Sequence, residues 1–266
     1  MSKPSVVLVP GSWHHPKHYQ DLMQGLEAAG YQTEIALIPT THAEHNKAEQ
    51  DTPDDIKFVQ AVLSKHLDEA KNNVVLLGHS YGAIPAMAAC TGLDAESRKA
   101  SGKSTSVIAV GCIPGAIPPP GFALTNMFGG NPPPFYQVKD GLSLPFGGKG
   151  PKHLFYNDIS DDKAEQHIPL FKTQSIKVPY ASSPDVMTPC KNIPIGYIIC
   201  TNDNAQNPMV QYQMVKGMMA KGVNVYAEEA DSGHSVFLSK PEQTVKFVRK
   251  LAGENIETGF KPYKPE

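Results

Sequence analysis

An α/β fold, with a mostly parallel sheet flanked by helices, is what this amino-acid sequence predicts, and three observations predict it. Short apolar runs recur at residues 6–9, 74–77, 107–110 and 195–200. Amphipathic helical stretches separate them, as the crossovers between parallel strands require. The runs are continuous rather than alternating, the pattern of strands buried on both faces.

The first run, Val-Val-Leu-Val at 6–9, is closed by Pro10 and Gly11 and reads as a buried strand ending in a tight turn. Tyr19, Leu22, Met23, Leu26 and Ala29 then recur at helical spacing until Gly30 stops the helix. Residues 33–38 make a second strand. Over 53–70, Ile56, Val59, Leu63 and Leu67 form one helical stripe, and Pro53 suits a first turn. A third strand at 74–77 leads into a helix over 81–92, and a fourth strand covers 107–110. Between Cys112 and Asn192 the texture changes. Prolines from Pro114 to Pro151 are unfit for interior strands, and the Gly129-Gly130 and Gly147-Gly148 pairs loosen the chain. This stretch also carries Phe122, Leu124, Met127, Phe128, Phe135 and Tyr136, more apolar material than a linker needs, so it reads as a lid over an apolar cavity with one helix at 161–174. The core resumes with a strand at 195–200, a helix over 208–221, a strand at 223–227 and a helix over 241–251. The tail, 259–266, has two prolines and three charges and is expected to fray. The organisation is therefore 1–112 as the first part of the core, 113–192 as the inserted lid and 193–266 as the second part.

Composition narrows the function classes. The 266 residues are 40% hydrophobic and 19% charged, which suits a folded chain with one large core. Lys and Arg total 24 against 26 Asp and Glu, a net charge of -2 that offers no general attraction to nucleic acid or an anionic membrane. Cys90, Cys112, Cys190 and Cys200 are scattered without a C-x-x-C pair, a poor basis for a disulfide framework or a zinc site. The apolar run at 6–9 is too short for a signal-peptide core, and no run approaches the roughly 20 residues of a membrane span. A reducing, cytoplasmic address is expected, with no nucleic-acid or membrane partner and with a homodimer left open.

The sharpest chemical signal is Gly78-His79-Ser80-Tyr81-Gly82, set between a strand and a helix. Small residues at both ends let the chain turn so sharply that the serine oxygen projects from the strand end. A serine hydroxyl needs a base within reach, and the base needs an orienting acid. His79 would point away on such a turn and reads as a packed residue. His234, in a loop after the last parallel strand, is the better base, because loops at the carboxyl edge of a parallel sheet converge. Asp203 follows a strand and precedes the histidine in chain order, so it suits the acid; Asp231 is the rival by proximity in sequence. For an oxyanion, the Tyr81 amide after the nucleophile and the Ser12 amide in the Pro10–Trp13 turn are the candidate donors. His14, His15 and His18 crowd one segment, but Pro16 interrupts their helical spacing and no acidic or cysteine ligand accompanies them, so no metal is expected. No G-x-G-x-x-G follows a strand, and no cofactor is expected.

Together these segments resemble the alpha/beta-hydrolases, and within them the small branch of plant methyl esterases, hydroxynitrile lyases and their microbial relatives. The likeness is carried by VVLVPGSWHH at 6–15, GHSYG at 78–82, FYND at 155–158, CTNDNA at 200–205 and SGHSVFLSKPE at 232–242. It implies Ser80 as nucleophile, Asp203 as acid, His234 as base, and the Ser12 and Tyr81 amides as the oxyanion hole. Gly11 and Trp13 in the opening motif, with Phe128 and Tyr136 in the lid, are the expected substrate-binding residues. The chain departs from the branch at Pro10, where a histidine is usual. The lyase members use a threonine where this chain has Gly11, and a lysine where it has Ser235; that lysine stabilises departing cyanide, so the resemblance favours hydrolysis. The expected activity is cleavage of a small-molecule carboxylic ester or lactone bearing an apolar or aromatic group, through an acyl-enzyme and without a cofactor. A lyase, cyclisation or decarboxylation catalyst on the same fold, and a non-catalytic small-molecule receptor, are the alternatives.

Overall fold

The apolar runs pair into one sheet in the computed structural model, which describes residues 3–265. In chain order the strands are β1 (Ser5–Val9), β2 (Thr33–Ile35), β3 (Val74–Ser80), β4 (Val107–Gly115), β5 (Gln137–Lys139), β6 (Leu142–Leu144), β7 (Gln174–Ser175), β8 (Ile195–Cys200), β9 (Val225–Ala230) and β10 (Lys261–Pro262). The main sheet has seven strands in the order β10-β9-β8-β4-β3-β1-β2. Every neighbouring pair in it is parallel except β10 with β9.

Side chains alternate across this sheet, as the two-residue period of a strand dictates. Val6, Leu8, Val75, Leu77 and Ile198 pack in one cluster with Leu22, Leu26, Phe247 and Val248 from the helices Gln20–Ala28 and Pro241–Leu251. Val7, Val9, Val74, Leu76 and Ile199 pack in the other, with Val59, Leu63, Met87, Val215 and Met218 from the helices Thr52–Ser64, Ala83–Ala88 and Pro208–Ala220. Each fully buried aliphatic side chain contributes about 1.5–3 kcal/mol, so these two layers hold the carboxyl ends of the strands rigid. Asp51 and Asp54 form a capping box that starts the helix Thr52–Ser64, whose last turn widens into a π-helical stretch at Lys65–Glu69.

Several elements differ from the sequence expectation, each for a local reason. β4 runs on to Gly115 instead of stopping at residue 110, and it includes Pro114, which sequence rules had excluded from an interior strand. The pairing with β3 shifts register there, from His79 opposite Ile113 to Ser80 opposite Gly115, while β8 pairs only as far as Cys112. Pro114 therefore falls in a bulge where its missing N–H is not needed. The helix expected over 81–92 shrinks to Ala83–Ala88, because Tyr81 and Gly82 belong to the turn after β3. The tail does not fray: Lys261 and Pro262 pair with Glu229 and Glu228, and the Tyr263 amide donates to the Ala227 carbonyl. Glu266 lies outside the described residues.

Between β4 and β8 the chain leaves the main sheet and forms a small antiparallel one, ordered β5-β6-β7. Its first hairpin turns on Asp140 and Gly141, both at positive φ (52° and 72°), the conformation of a two-residue type I′ loop. The expected helix at 161–174 ends at His167, and Gln174 lies in β7. Among the described residues no helix is long and apolar enough to cross a membrane.

Candidate active site

Ser80 is the last residue of β3 and takes a left-handed backbone, φ 52°. That conformation costs a non-glycine residue roughly 1–2 kcal/mol, and the surrounding packing enforces it. A Cβ on Gly78 would lie 2.5 Å from the Ala83 Cα, and one on Gly82 would lie 2.4 Å from the Val9 and Pro10 carbonyl oxygens. Only glycines let the helix fold back so closely on the strand, and the serine is left at the tip of the turn.

His234 follows β9 in a loop, and its Nδ1 donates to Asp203 Oδ2 at 2.8 Å. Asp203 follows β8. Its Oδ1 accepts the Ala205 and Gln206 amides, each at 2.8 Å, and its Oδ2 also accepts Gln211 Nε2 at 2.9 Å. Four donors converge on one buried carboxylate, an arrangement suited to the acceptor-only ionised form. Asp231, the rival acid, is exposed and pairs with the Asn202 side chain. The His234 loop is also held from outside, since the Gly233 amide donates to Asp158 Oδ2 at 2.7 Å. Among the described residues neither Ser80 Oγ nor His234 Nε2 makes a hydrogen bond; both residues line one cavity.

Ser12 and Tyr81 line the same cavity, and among the described residues neither backbone amide donates to a protein acceptor. The Tyr81 side chain is anchored away from Ser80, with its hydroxyl donating to Asp55 Oδ2 at 2.7 Å. Burial pushes the Asp55 carboxyl up to about 6, against the pull of the Thr40 and Tyr81 donors. His79 is fully buried with Nδ1 2.8 Å from the Tyr19 hydroxyl. Each amino-terminal histidine bonds the protein through at least one ring nitrogen, while among the described residues His14 Nε2 has no partner. His14 Nδ1 donates to the Ser12 carbonyl at 2.8 Å, and His18 uses Nδ1 toward the His15 amide and Nε2 toward the His167 carbonyl. Burial holds His14 and His79 well below the usual imidazole range, so both are neutral at pH 7.

The cavity measures about 1310 Å³. Trp13, at φ 63°, donates from its indole to Ser143 Oγ at 3.1 Å, and Tyr136 meets its ring edge-on at 4.8 Å. Phe128 is half-buried and lines the cavity from the 3-10 turn Leu124–Phe128. Gly11 stands behind this surface, packed against the elbow, and does not line the cavity. Sequence reading missed His14, Thr52, Ile117, Phe155 and Met214 as lining residues, along with the supporting roles of Tyr19, Asp55, Asp158 and Gln211. Of these, His14, Phe155 and Asp158 stood inside motifs that the resemblance had flagged. Among the described residues Ser235 Oγ is buried without a partner, and Ser235 does not line the cavity.

Comparison with known proteins agrees with this architecture. Residues 6–247 match the alpha/beta hydrolase family, and the chain belongs to it. It is 29% identical over 260 residues to an alpha/beta hydrolase, nvfD, of Aspergillus novofumigatus, covering 97% of this chain and 100% of that one. Among solved structures it is similar to a pyrethroid hydrolase from Sphingobium faniae, with a TM-score of 0.70 at 18% identity over 95% of this chain and 98% of that one. It is also similar to a methylesterase from Arabidopsis, with a TM-score of 0.64 at 16% identity over 94% of this chain and 99% of that one. The likeness to the small methyl esterase branch thus extends over nearly the whole fold.

Proposed function

We propose that this chain is a serine hydrolase that cleaves a carboxylic ester or lactone with a bulky apolar or aromatic group through an acyl-enzyme. The observation that carries the reading is the Asp203–His234 hydrogen bond at the floor of the cavity that Ser80 enters on a left-handed turn. Nδ1 of His234 is the donor in that bond, so Nε2 is left as the acceptor a general base needs. Ser80 Oγ attacks the carbonyl carbon while Nε2 takes its proton. The Ser12 and Tyr81 amides receive the negative charge on the carbonyl oxygen, and they are free to do so because among the described residues no protein acceptor competes. Collapse breaks the bond to the alkoxy oxygen, which leaves with the proton from His234. Water, deprotonated in turn by His234, releases the acid and restores Ser80.

The cavity wall speaks for the substrate class. The segment between β4 and β8, taken as a lid, contributes Phe122, Phe128, Phe135, Tyr136 and Met187, whereas lysine appears in the lining once, at the exposed Lys221. Such a wall suits a neutral lipophile better than a phosphoester. Residue 235 brings no cation to stabilise a departing cyanide, for Ser235 is uncharged and does not line the cavity. Hydrolysis in oxygen-18 water should place one label in the released acid, with no enzyme-dependent cyanide from matched cyanohydrins. Ser80-dependent cyanide with negligible ester cleavage would overturn the reading.

Phe128→Ala should shift selectivity from a large aromatic ester toward a short acetate ester by about threefold or more, with little change in unfolding temperature, because Phe128 is half-buried on the cavity wall. Tyr136→Ala should lower selectivity and stability together, since it also removes the edge contact to Trp13. Equal losses toward both esters in Phe128→Ala would assign that ring to structure alone.

A further inference from the structure

The Pro10–Trp13 turn lies against the elbow more tightly than side chains permit elsewhere. A Cβ on Gly11 would fall 2.6 Å from His79 Nδ1 and 3.1 Å from Ser80 Cβ. On the far side the Pro10 and Val9 carbonyl oxygens press on Gly82. One hydroxyl spans this contact. The Gly11 amide donates to the Tyr19 hydroxyl at 2.9 Å, and that hydroxyl lies 2.8 Å from His79 Nδ1. The phenol oxygen accepts from Gly11 and makes a second hydrogen bond with His79 Nδ1, whose direction is set by the His79 tautomer. Tyr19 and His79 are both fully buried, and the Tyr19 ring packs on Phe237 with centroids 4.6 Å apart. Burial raises the phenol far above its ordinary range and lowers the imidazole, so neither group ionises near neutrality and the pair stays bonded.

We propose that Tyr19 is a positioning residue for the oxyanion donors: its hydroxyl, bonded to the Gly11 amide and to His79, locks the Ser12 turn to the elbow that carries Ser80. Ser12 follows Gly11 directly, and His79 precedes Ser80 directly, so the bridge joins the two backbone segments that must meet around the developing oxyanion. The inference rests on the serine hydrolase reading. It adds a residue that touches neither substrate nor reacting atoms.

Tyr19→Phe keeps the ring and its packing and removes only the bridging oxygen. With active sites counted by a fluorophosphonate, the variant is expected to lose about 10- to 100-fold in kcat, with KM changed by less than about twofold, a substantial share of what one oxyanion donor supplies. Its affinity for a trifluoromethyl ketone, which binds as the tetrahedral oxyanion, should fall by a similar factor, while affinity for the corresponding non-electrophilic amide holds. His79→Leu, which cannot hydrogen-bond the phenol, should behave like Tyr19→Phe. His79→Gln, whose amide can hydrogen-bond the phenol in either direction, should recover part of the lost kcat. Should Tyr19→Phe not fold, the His79 pair alone decides, and equal kcat in His79→Leu and His79→Gln would overturn the proposal. A lower unfolding temperature in Tyr19→Phe, with kcat and ketone affinity per titrated site unchanged, would also overturn it and leave the bridge purely structural. A wild-type protein inert to the fluorophosphonate and to every ester would instead sink the hydrolase reading, and the inference with it.

Discussion

Replacing Ser80 with alanine is expected to abolish labelling by a fluorophosphonate and to lower ester turnover by about 10⁴- to 10⁶-fold, the range found when a triad nucleophile is removed. The variant should remain folded. Alanine pays about the same penalty as serine for the left-handed backbone at this position, and the turn is enforced by Gly78, Gly82 and the carbonyls of Val9 and Pro10 rather than by the hydroxyl. Among the described residues Ser80 Oγ makes no hydrogen bond that the substitution would orphan. A near-wild-type unfolding curve beside lost turnover would therefore separate chemistry from stability. Mass mapping that placed the adduct on another residue, with turnover unchanged in Ser80→Ala, would remove Ser80 from the mechanism.

The elbow was legible in the amino-acid sequence because its logic is local: a buried apolar run, two glycines flanking the pentapeptide, and a helix that follows at once. The core strands were legible for the same reason, since strands covered on both faces need uninterrupted apolar runs. What escaped depends on partners far away in the chain. Pro114 belongs to a strand because β3 and β4 slip register at Ser80 and β8 has already stopped pairing, facts that proline's own chemistry does not contain. The tail pairs because β9 leaves an edge where Lys261 can reach Glu229 at 2.9 Å, an outcome that two prolines and three charges disguise. The Asp140-Gly141 hairpin is a different case. A two-residue Asp-Gly loop is a strong hairpin signal, and it was obscured by the surrounding prolines. Tyr19 was visible only as one apolar position on a helix; in the structure it ends the 3-10 turn Pro16–Tyr19 just ahead of that helix, and its hydroxyl lies between Gly11 and His79.

Asp203→Asn against Asp231→Asn gives the other large expected effect, and the hydrogen bonds predict its direction. Asp203 accepts from four N–H donors, two at each oxygen: the Ala205 and Gln206 amides at Oδ1, and Gln211 Nε2 and His234 Nδ1 at Oδ2. An asparagine replaces one of those acceptors with a donor. If its NH₂ group faces the backbone amides, it opposes two fixed N–H groups in a buried site. If it faces His234, the imidazole must present Nδ1 as an acceptor, which moves its proton to Nε2 and leaves nothing to take the proton from Ser80. The second orientation disturbs side chains rather than backbone, so it should prevail, and turnover should fall by about 10²- to 10⁴-fold, the upper figure being the loss seen in serine proteases. Raising pH should restore part of it, because hydroxide can then assist where the mis-set imidazole does not. Asp231→Asn should change turnover by less than about threefold, since Asp231 is exposed and bonded to Asn202 rather than to His234. Near-normal turnover in Asp203→Asn with collapse in Asp231→Asn would transfer the acid's role to Asp231 and require the His234 loop to rearrange when substrate binds.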